Sequence, residues 1–231
     1  MTDSPIIIAL DVPSAEEARQ LVRAIGPAAS FYKVGLELFT AAGPDFVHEL
    51  KSQGVRVFLD LKLHDIGETV KRTVARAVDL APDFLTIHAT SQVMRAAAEG
   101  RGSSPLKLLA VGVLTSLDDS DLAFDGYVSG VTELVELRAR NAMAAGMDGI
   151  VCSPREVAKV RAIVGPKMIL LNPGVRSAGA GTGDQKRIAT PAEAVAAGAN
   201  FIVVGRQVTR SSDPRGETLK IWEEVAAVKV S

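Results

Sequence analysis

Eight apolar, strand-like segments alternate with eight helix-like segments along this chain. The strand-like segments are near-continuously apolar, as expected of strands that are covered on both faces. Regular alternation of this kind predicts parallel strands joined by helical crossovers. The predicted strands cover residues 6–10, 31–35, 55–60, 84–88, 107–113, 149–152, 168–171 and 200–204, and the predicted helices cover 14–25, 37–53, 69–80, 91–99, 131–145, 153–164, 190–198 and 213–228.

The strand count and the chain length favour a closed barrel over an open sheet. Eight strand–helix pairs in 231 residues fit a single (β/α)8 TIM barrel. No Gly-x-Gly-x-x-Gly pattern follows the first strand, which disfavours a dinucleotide-binding fold. Neither a linker nor a low-complexity tract interrupts the pattern. We therefore expect one TIM-barrel catalytic domain over residues 1–231.

Composition and charge exclude several classes of function. The formal net charge is −1, so no basic field indicates nucleic acid or an anionic membrane as a partner. Apolar runs are far shorter than the roughly 20 residues of a membrane helix, and the N-terminus lacks the features of a secretory signal. A single cysteine and three histidines without ligand spacing predict no metal site. We expect a cytoplasmic protein.

Polar residues collect where the predicted strands end. In TIM barrels the reacting groups lie at the C-terminal ends of the strands. A mouth with a purely structural role would not need lysines and carboxylates converging there. The strand-end residues of this chain are Asp11, Lys33, Asp60 with Lys62, His88, Thr115, Ser153, Pro173, and Gly205 with Arg206.

The sequence Asp60-Leu61-Lys62-Leu63-His64-Asp65 points most directly at chemistry. Residues two apart on a strand point the same way, so Asp60 and Lys62 are expected side by side. A solvated ion pair on an edge strand is the alternative interpretation, since such pairs are common and contribute only about 0–1 kcal/mol. The apolar flanks, the third charge at Asp65 and the barrel architecture favour a functional site.

A phosphate site is predicted from the last two strand–helix loops, which bind phosphate in many TIM barrels. The loop over residues 172–187 is long and glycine-rich, as suits a lid that closes over a ligand. After the eighth strand, Gly205 leaves room for an anion and Arg206 offers a planar donor fork. A surface arginine with no ligand is the alternative for Arg206.

With these residues in hand, the chain resembles the orotidine 5′-phosphate decarboxylase family, in its short bacterial form, over essentially its whole length. Asn172 departs from the pattern, because the family is expected to carry threonine there. The matching motifs are Ala9-Leu10-Asp11, Lys33-Val34-Gly35, Asp60-x-Lys62-x-x-Asp65-Ile66-x-x-Thr69, Leu114-Thr115-Ser116, Val151-Cys152-Ser153-Pro154, Pro173-Gly174-Val175-Arg176, Gly183-Asp184-Gln185-Lys186-Arg187 and Val204-Gly205-Arg206.

The resemblance implies a cofactor-free decarboxylation of orotidine 5′-phosphate to uridine 5′-phosphate and carbon dioxide in pyrimidine biosynthesis. It also implies a catalytic array of Lys33, Asp60, Lys62 and Asp65, in which Lys62 stabilises charge at C6 of the ring and then protonates it. By the same analogy the protein is a homodimer, and Asp65 and Thr69 reach into the partner's site.

The resemblance further implies how the substrate is held. Asp11 and Lys33 would bind the ribose hydroxyls, and Thr115 would bind the pyrimidine edge. Arg176 would lie near the phosphate at the start of the lid. The phosphate itself would be bound by Gln185, Gly205 and Arg206, and the implied substrate-binding set is completed by Asp60, Ile66, Thr69 and Pro173.

Two alternatives remain at this point. A magnesium-dependent keto-sugar-phosphate decarboxylase or aldolase of the same superfamily shares the Asp-x-Lys-x-x-Asp core. Such enzymes place an acidic metal ligand where Lys33 stands, and an ammonium there would repel Mg²⁺. The second alternative is a non-catalytic barrel that binds a phosphorylated metabolite.

Overall fold

Eight parallel strands close into a barrel in a computed structural model that describes residues 4–179 and 189–228. The strands pair in chain order, and β8 completes the circle by pairing with β1. The predicted TIM barrel is confirmed. The strands are β1 (Ile6–Ala9), β2 (Phe31–Gly35), β3 (Arg56–Leu63), β4 (Phe84–His88), β5 (Lys107–Val111), β6 (Gly149–Val151), β7 (Ile169–Asn172) and β8 (Phe201–Val204).

Helices surround the barrel, and some of them begin at a side-chain cap. Ser14, for example, accepts a hydrogen bond from the backbone N–H of Glu17 at 3.2 Å, as its position in the sequence predicts. The described helices are α1 (Ala15–Ile25), α2 (Leu36–Ser52), α3 (Gly67–Asp79), α4 (Ser91–Arg101), α5 (Asp119–Phe124), α6 (Val131–Ala144), α7 (Val157–Val164), α8 (Pro191–Ala196), α9 (Arg206–Thr209) and α10 (Pro214–Val228).

The structure corrects the predicted boundaries in a few places. Strand β3 continues to Leu63, beyond the Asp60 at which the apolar run ends. The short helices α5 and α9 were not predicted, because six and four residues are too few for a helical repeat to show. The first of them depends on its cap, since the Asp118 carboxylate accepts from the N–H groups of Ser120 and Asp121.

Inward and outward residues of the strands form two separate apolar cores. The larger core fills the space between the barrel and its helices, with side chains such as Val34 and Leu59 fully buried. The smaller core lies inside the barrel and is built by Ile7, Ala9, Phe31, Phe58, Phe84, Leu109, Val151, Leu171 and Val203.

Among the described residues, no helix is long and apolar enough to cross a membrane.

Arg56 closes the N-terminal end of the barrel. Its guanidinium lies 4.0 Å from the ring centroid of Phe31 and 5.4 Å from those of Phe84 and Phe201. These three rings come from the first residues of β2, β4 and β8. The Nε of Arg56 also lies 3.4 Å from Asp83. A cation against three aromatic rings packed edge to face thus closes the end opposite the strand C-termini.

Replacing Arg56 with methionine keeps the side chain's length but removes the cation, and it should destabilise the fold without affecting the barrel mouth. We expect a loss of about 1–2 kcal/mol from the cation–π contacts and the ion pair. That loss would lower the melting temperature by about 2–8 °C in a domain of this size. Arg72→Met, at a 71%-exposed side chain, is the matched control. Equal melting temperatures for the two variants would contradict the sealing role.

Candidate active site

A cavity of about 480 Å³ opens where the strands end, within the size range of small-molecule sites. Its floor is apolar and is formed by inward residues such as Phe58, Val111 and Leu171. Residues on or just after seven of the eight strands line it. The predicted site residues that line it are Asp11, Lys33, Asp60, Lys62, Thr115, Pro173, Arg176, Gly205 and Arg206.

Four charged side chains form a continuous chain across one wall. Lys33 Nζ lies 2.7 Å from Asp11 Oδ1 and 3.5 Å from Asp60 Oδ2. Lys62 Nζ lies 2.9 Å from Asp60 Oδ1. The exposed fractions of the Lys33 and Asp60 side chains are only 10% and 13%, so this is not the solvated edge pair of the alternative interpretation.

Burial and charge compete at Asp60. Burial alone would raise the pKa of this carboxyl, because it removes water from the charged form. The positive charges of Lys33 and Lys62, with hydrogen bonds from Lys62 and Thr86, outweigh burial and lower the pKa below its usual value. Asp60 is therefore ionised at neutral pH despite being nearly enclosed.

The strand that carries Asp60 and Lys62 is irregular at this point. Leu59 pairs with Leu85 and Leu63 pairs with Ile87, so β3 contains more residues than β4 over this stretch. Lys62 takes up the difference with a φ of 47°, a left-handed conformation that is rare for a lysine. The two charged side chains do point the same way, as predicted, but across a bulge rather than along a regular strand.

Gly35, at the end of β2, makes room for the charged chain. A Cβ at this position would lie 2.9 Å from Lys33 Nζ and 3.0 Å from Asp11 Oδ1. Any other residue would therefore push this ion pair out of place.

Two arginines that follow β7 and β8, Arg176 and Arg206, also line the cavity. Burial, followed by the positive charge of Arg206, lowers the pKa of Arg176 from its usual value. Like charges held this close disfavour each other, and an anion between them would relieve the repulsion. Among the described residues, a Cβ at Gly205 would have only Ala9 within 4 Å, at 3.7 Å, so none of them would clash with a side chain there.

Gln207 was missed by the sequence analysis and links the last two strand–helix loops. Its amide donates to Ser177 Oγ at 2.8 Å, and its Oε1 accepts from the N–H of Ser177 at 3.0 Å. The only signal in the sequence was its position beside Arg206. Arg176 N also donates to Ala189 O at 3.1 Å, so both ends of the intervening segment meet. The predicted phosphate ligand Gln185 lies outside the described residues.

Three predicted residues do not join the others within one chain. Asp65 and Ile66 follow β3 and border a separate, open depression together with His64, Thr90, Gln92 and Val93. The Ile66 side chain is 69% exposed, and Asp65 accepts only the neighbouring N–H of Ile66, at 2.6 Å, among the described side-chain contacts. Thr69 lies in the first turn of α3, outside the cavity lining.

Asn172, the one departure from the expected motif, points away from the cavity. It is fully buried, and its amide donates to the backbone oxygen of Cys152 at 2.7 Å. The substitution therefore changes the packing between β6 and β7 rather than the site. Among the described residues, no group of three or more His, Cys, Asp and Glu side chains is arranged to hold a metal ion.

The arrangement suits an anionic ligand with an apolar body. The floor can pack against a flat ring, the guanidinium pair can bind a phosphate, and Lys62 can stabilise or protonate a carbanion above Asp60.

Comparison with known proteins gives the same picture. The orotidine 5′-phosphate decarboxylase / HUMPS family profile matches residues 4–221. The orotidine 5′-phosphate decarboxylase of Rhodopseudomonas palustris (strain HaA2) is 52% identical over 97% of this chain and 95% of its own length. That of Methylobacterium sp. (strain 4-46) is 51% identical over 96% and 95%.

Solved structures agree with these relatives. The crystal structure of orotidine 5′-phosphate decarboxylase from Lactobacillus acidophilus superposes with a TM-score of 0.86 at 37% identity, covering 96% of this chain and 99% of that one. An uncharacterized conserved protein from Geobacillus kaustophilus gives a TM-score of 0.83 at 35% identity over 96% and 100%. By profile, sequence identity and fold, the chain belongs to the orotidine 5′-phosphate decarboxylase / HUMPS family.

Proposed function

We propose that this protein decarboxylates orotidine 5′-phosphate to uridine 5′-phosphate and carbon dioxide, in pyrimidine biosynthesis. The observation that carries the proposal is the placement of Lys62 and Lys33 on either side of the ionised, nearly enclosed Asp60 at the cavity wall. Relatives that share about half of this chain's residues and bear that enzyme's name support the choice of substrate. The expected cytoplasmic location rests on the sequence alone.

The reaction needs positive charge at one atom. When the bond between C6 and the carboxylate breaks, its electron pair stays in an sp² orbital that cannot delocalise into the ring. The Lys62 ammonium is the group we assign to stabilise this pair and then to donate a proton to C6. Solvent would return the proton to Lys62, which leaves the enzyme unchanged after turnover.

Asp60, which Lys33 also contacts, would keep Lys62 aimed at C6, and in the dimer Asp65 would act with them. The Asp60 carboxylate lies 2.9 Å from the Lys62 ammonium and accepts a hydrogen bond from it, which fixes the direction of the side chain. Asp60 would also lie beside the substrate carboxylate, so that their repulsion is relieved as carbon dioxide leaves. We assign this second effect a minor share, because stabilisation of developing charge is usually the larger contribution to catalysis.

The remaining wall residues would hold the nucleotide. Asp11 and Lys33 would bind the ribose hydroxyls, and Thr115 would bind the pyrimidine edge. Pro173, which lines the same cavity, would contact the substrate as well. The phosphate would take the space between Arg176 and Arg206, beside the open face of Gly205. Gln185 is proposed as a further phosphate ligand from the resemblance alone.

The active form is proposed to be a homodimer with shared sites. Within one chain Asp65, Ile66 and Thr69 lie outside the cavity that the other site residues line. An isoleucine that is 69% exposed beside an exposed carboxylate is suited to burial against a second copy. In the dimer these residues would complete the partner's site, where Asp65 would join Lys33, Asp60 and Lys62 in the catalytic array.

The magnesium-dependent alternative is disfavoured by the chemistry of the donor set. The family description names a second group, HUMPS, beside the decarboxylase, so membership of the family alone does not choose between activities. Here, however, the Lys33 ammonium lies within 3.5 Å of both Asp11 and Asp60, where it competes for the oxygens that Mg²⁺ would need.

The first test is the absorbance change of orotidine 5′-phosphate with purified protein in excess EDTA and no added cofactor. We expect full conversion, because the proposed chemistry uses only side chains. Conversion that requires added Mg²⁺ would favour the metal-dependent alternative. Binding of uridine 5′-phosphate without any conversion would favour the non-catalytic barrel.

Lys62→Ala removes the charge and proton proposed to act at C6. We expect kcat to fall by at least about 10³-fold, the combined scale of acid catalysis and electrostatic stabilisation. Binding of uridine 5′-phosphate, measured by calorimetry, should remain within about threefold of wild type, since the product has no charge developing at C6. Lys107→Ala, at an exposed lysine on the first residue of β5, is the control. Near-normal turnover by Lys62→Ala would exclude the proton-donor role.

Shared sites predict complementation between two inactive variants. Lys62→Ala and Asp65→Ala each disable every site in their own homodimers. A mixed dimer should place both defects in one site and leave the other intact. After unfolding and refolding together in equal amounts, about a quarter of wild-type activity should return, because half the dimers are mixed and each has one good site. No recovery, with mixed dimers verified by mass spectrometry, would show that the sites are not shared.

A further inference from the structure

Thr86 is a fully buried polar residue that neither the sequence analysis nor the proposed chemistry assigns a role. It lies in the middle of β4, between Phe84 and His88, on the face that turns toward the barrel interior. The neighbouring strand is β3, at the level of Asp60 and Lys62. A hydroxyl placed inside an apolar barrel costs free energy unless it is hydrogen-bonded.

Both hydrogen bonds of Thr86 go to the catalytic pair. Its Oγ1 donates to Asp60 Oδ1 at 3.0 Å and accepts from the backbone N–H of Lys62 at 2.9 Å. One hydroxyl thus contacts the side chain of one residue and the main chain of the other.

The second bond repairs the sheet at the bulge. Between the pairs Leu59–Leu85 and Leu63–Ile87 the ladder of β3 and β4 loses its register. The N–H of Lys62 turns toward a side chain there, with a φ of 47°, instead of a β4 carbonyl. A left-handed lysine persists only where its surroundings hold it, and Thr86 supplies that hold.

We propose that Thr86 is a positioning residue, whose hydroxyl fixes the Lys62 bulge and the Asp60 carboxylate in the geometry that the reaction needs. The proposal rests on the proposed decarboxylation for its effect on rate. Its structural half, the clamp on the bulge, can be measured without substrate.

The charged groups that face Asp60 come from three strands. Lys33 reaches it from β2, and Lys62 from β3 itself. Asp11, after β1, acts through Lys33. On the β4 side Thr86 supplies the hydrogen bond, which adds to the lysine charges in lowering the pKa of Asp60. Without that hydroxyl, one Asp60 oxygen keeps only the Lys62 ammonium.

The test compares Thr86→Val, which keeps the shape and removes the hydroxyl, with Thr86→Ser, which keeps the hydroxyl. Thr218→Val is the matched control, because Thr218 is equally buried and loses one hydrogen bond, to Pro214 O, on α10. If Thr86→Val does not fold, Thr86→Cys takes its place, since a thiol is a much weaker hydrogen-bonding group.

Two readouts separate positioning from general loss of stability. Amide hydrogen exchange at Lys62, followed by NMR, should accelerate by about tenfold in Thr86→Val, the scale of one lost hydrogen bond. For orotidine 5′-phosphate, kcat should fall by about 10–100-fold with KM within about threefold, as expected when a reacting group is misplaced but binding is kept. In Thr86→Ser, which keeps the hydroxyl, and in Thr218→Val, both the Lys62 exchange rate and kcat should stay close to those of the wild type.

Unchanged Lys62 exchange in Thr86→Val would overturn the clamp, whatever the rate. Faster exchange with an unchanged kcat would overturn the positioning role while leaving the proposed function intact. A wild-type protein that fails to convert the substrate would instead refute the proposed function, and with it the effect on rate, while the exchange data would still decide whether Thr86 holds the bulge.

Discussion

A buried carboxylate organises the mouth of this barrel. The Asp60 carboxylate can be buried there because Lys33 and Lys62 flank it. Asp11 in turn contacts Lys33, and Thr86 accepts a hydrogen bond from the backbone N–H of Lys62. Removing one partner of such a group leaves an uncompensated charge, which costs about 3–5 kcal/mol in buried sites. The glycine at position 35 leaves room for the ion pair of Lys33 and Asp11, and the irregularity of β3 lies where Asp60 and Lys62 meet. The local structure thus serves the charge cluster rather than the reverse.

Much of the architecture could be predicted from the sequence because it follows from simple periodicities. The bounds of β2 and β4 match the apolar runs residue for residue, and β5 ends at Val111, two residues earlier than predicted. Once a parallel barrel was expected, the residues at the strand ends could be assigned to the cavity wall, because the C-termini of all the strands meet at one mouth. Asp11, Lys33 and Arg206 were found in this way, from three different strands.

What escaped prediction depends on contacts between distant residues or on departures from regular geometry. Alternation placed Lys62 beside Asp60, but a left-handed φ at a lysine has no signature in the sequence. Thr86 reads as an ordinary β-branched strand residue, and its role exists only because β4 lies next to a bulge in β3. Asp65 was named by the resemblance, and one chain alone does not bring it to the cavity.

Arg56, at the N-terminal end of the barrel, affects where ligands can enter and leave. Arg56 packs against three aromatic rings at the strand N-termini, so the interior has its opening at the mouth and a plug at the base. Under the proposed reaction, substrate, carbon dioxide and product would all pass through that mouth. Carbon dioxide is small and uncharged, whereas the nucleotide would have to be released from the arginines proposed to bind its phosphate. We therefore expect carbon dioxide to leave first and the nucleotide last, because only the nucleotide carries a phosphate for these arginines to hold.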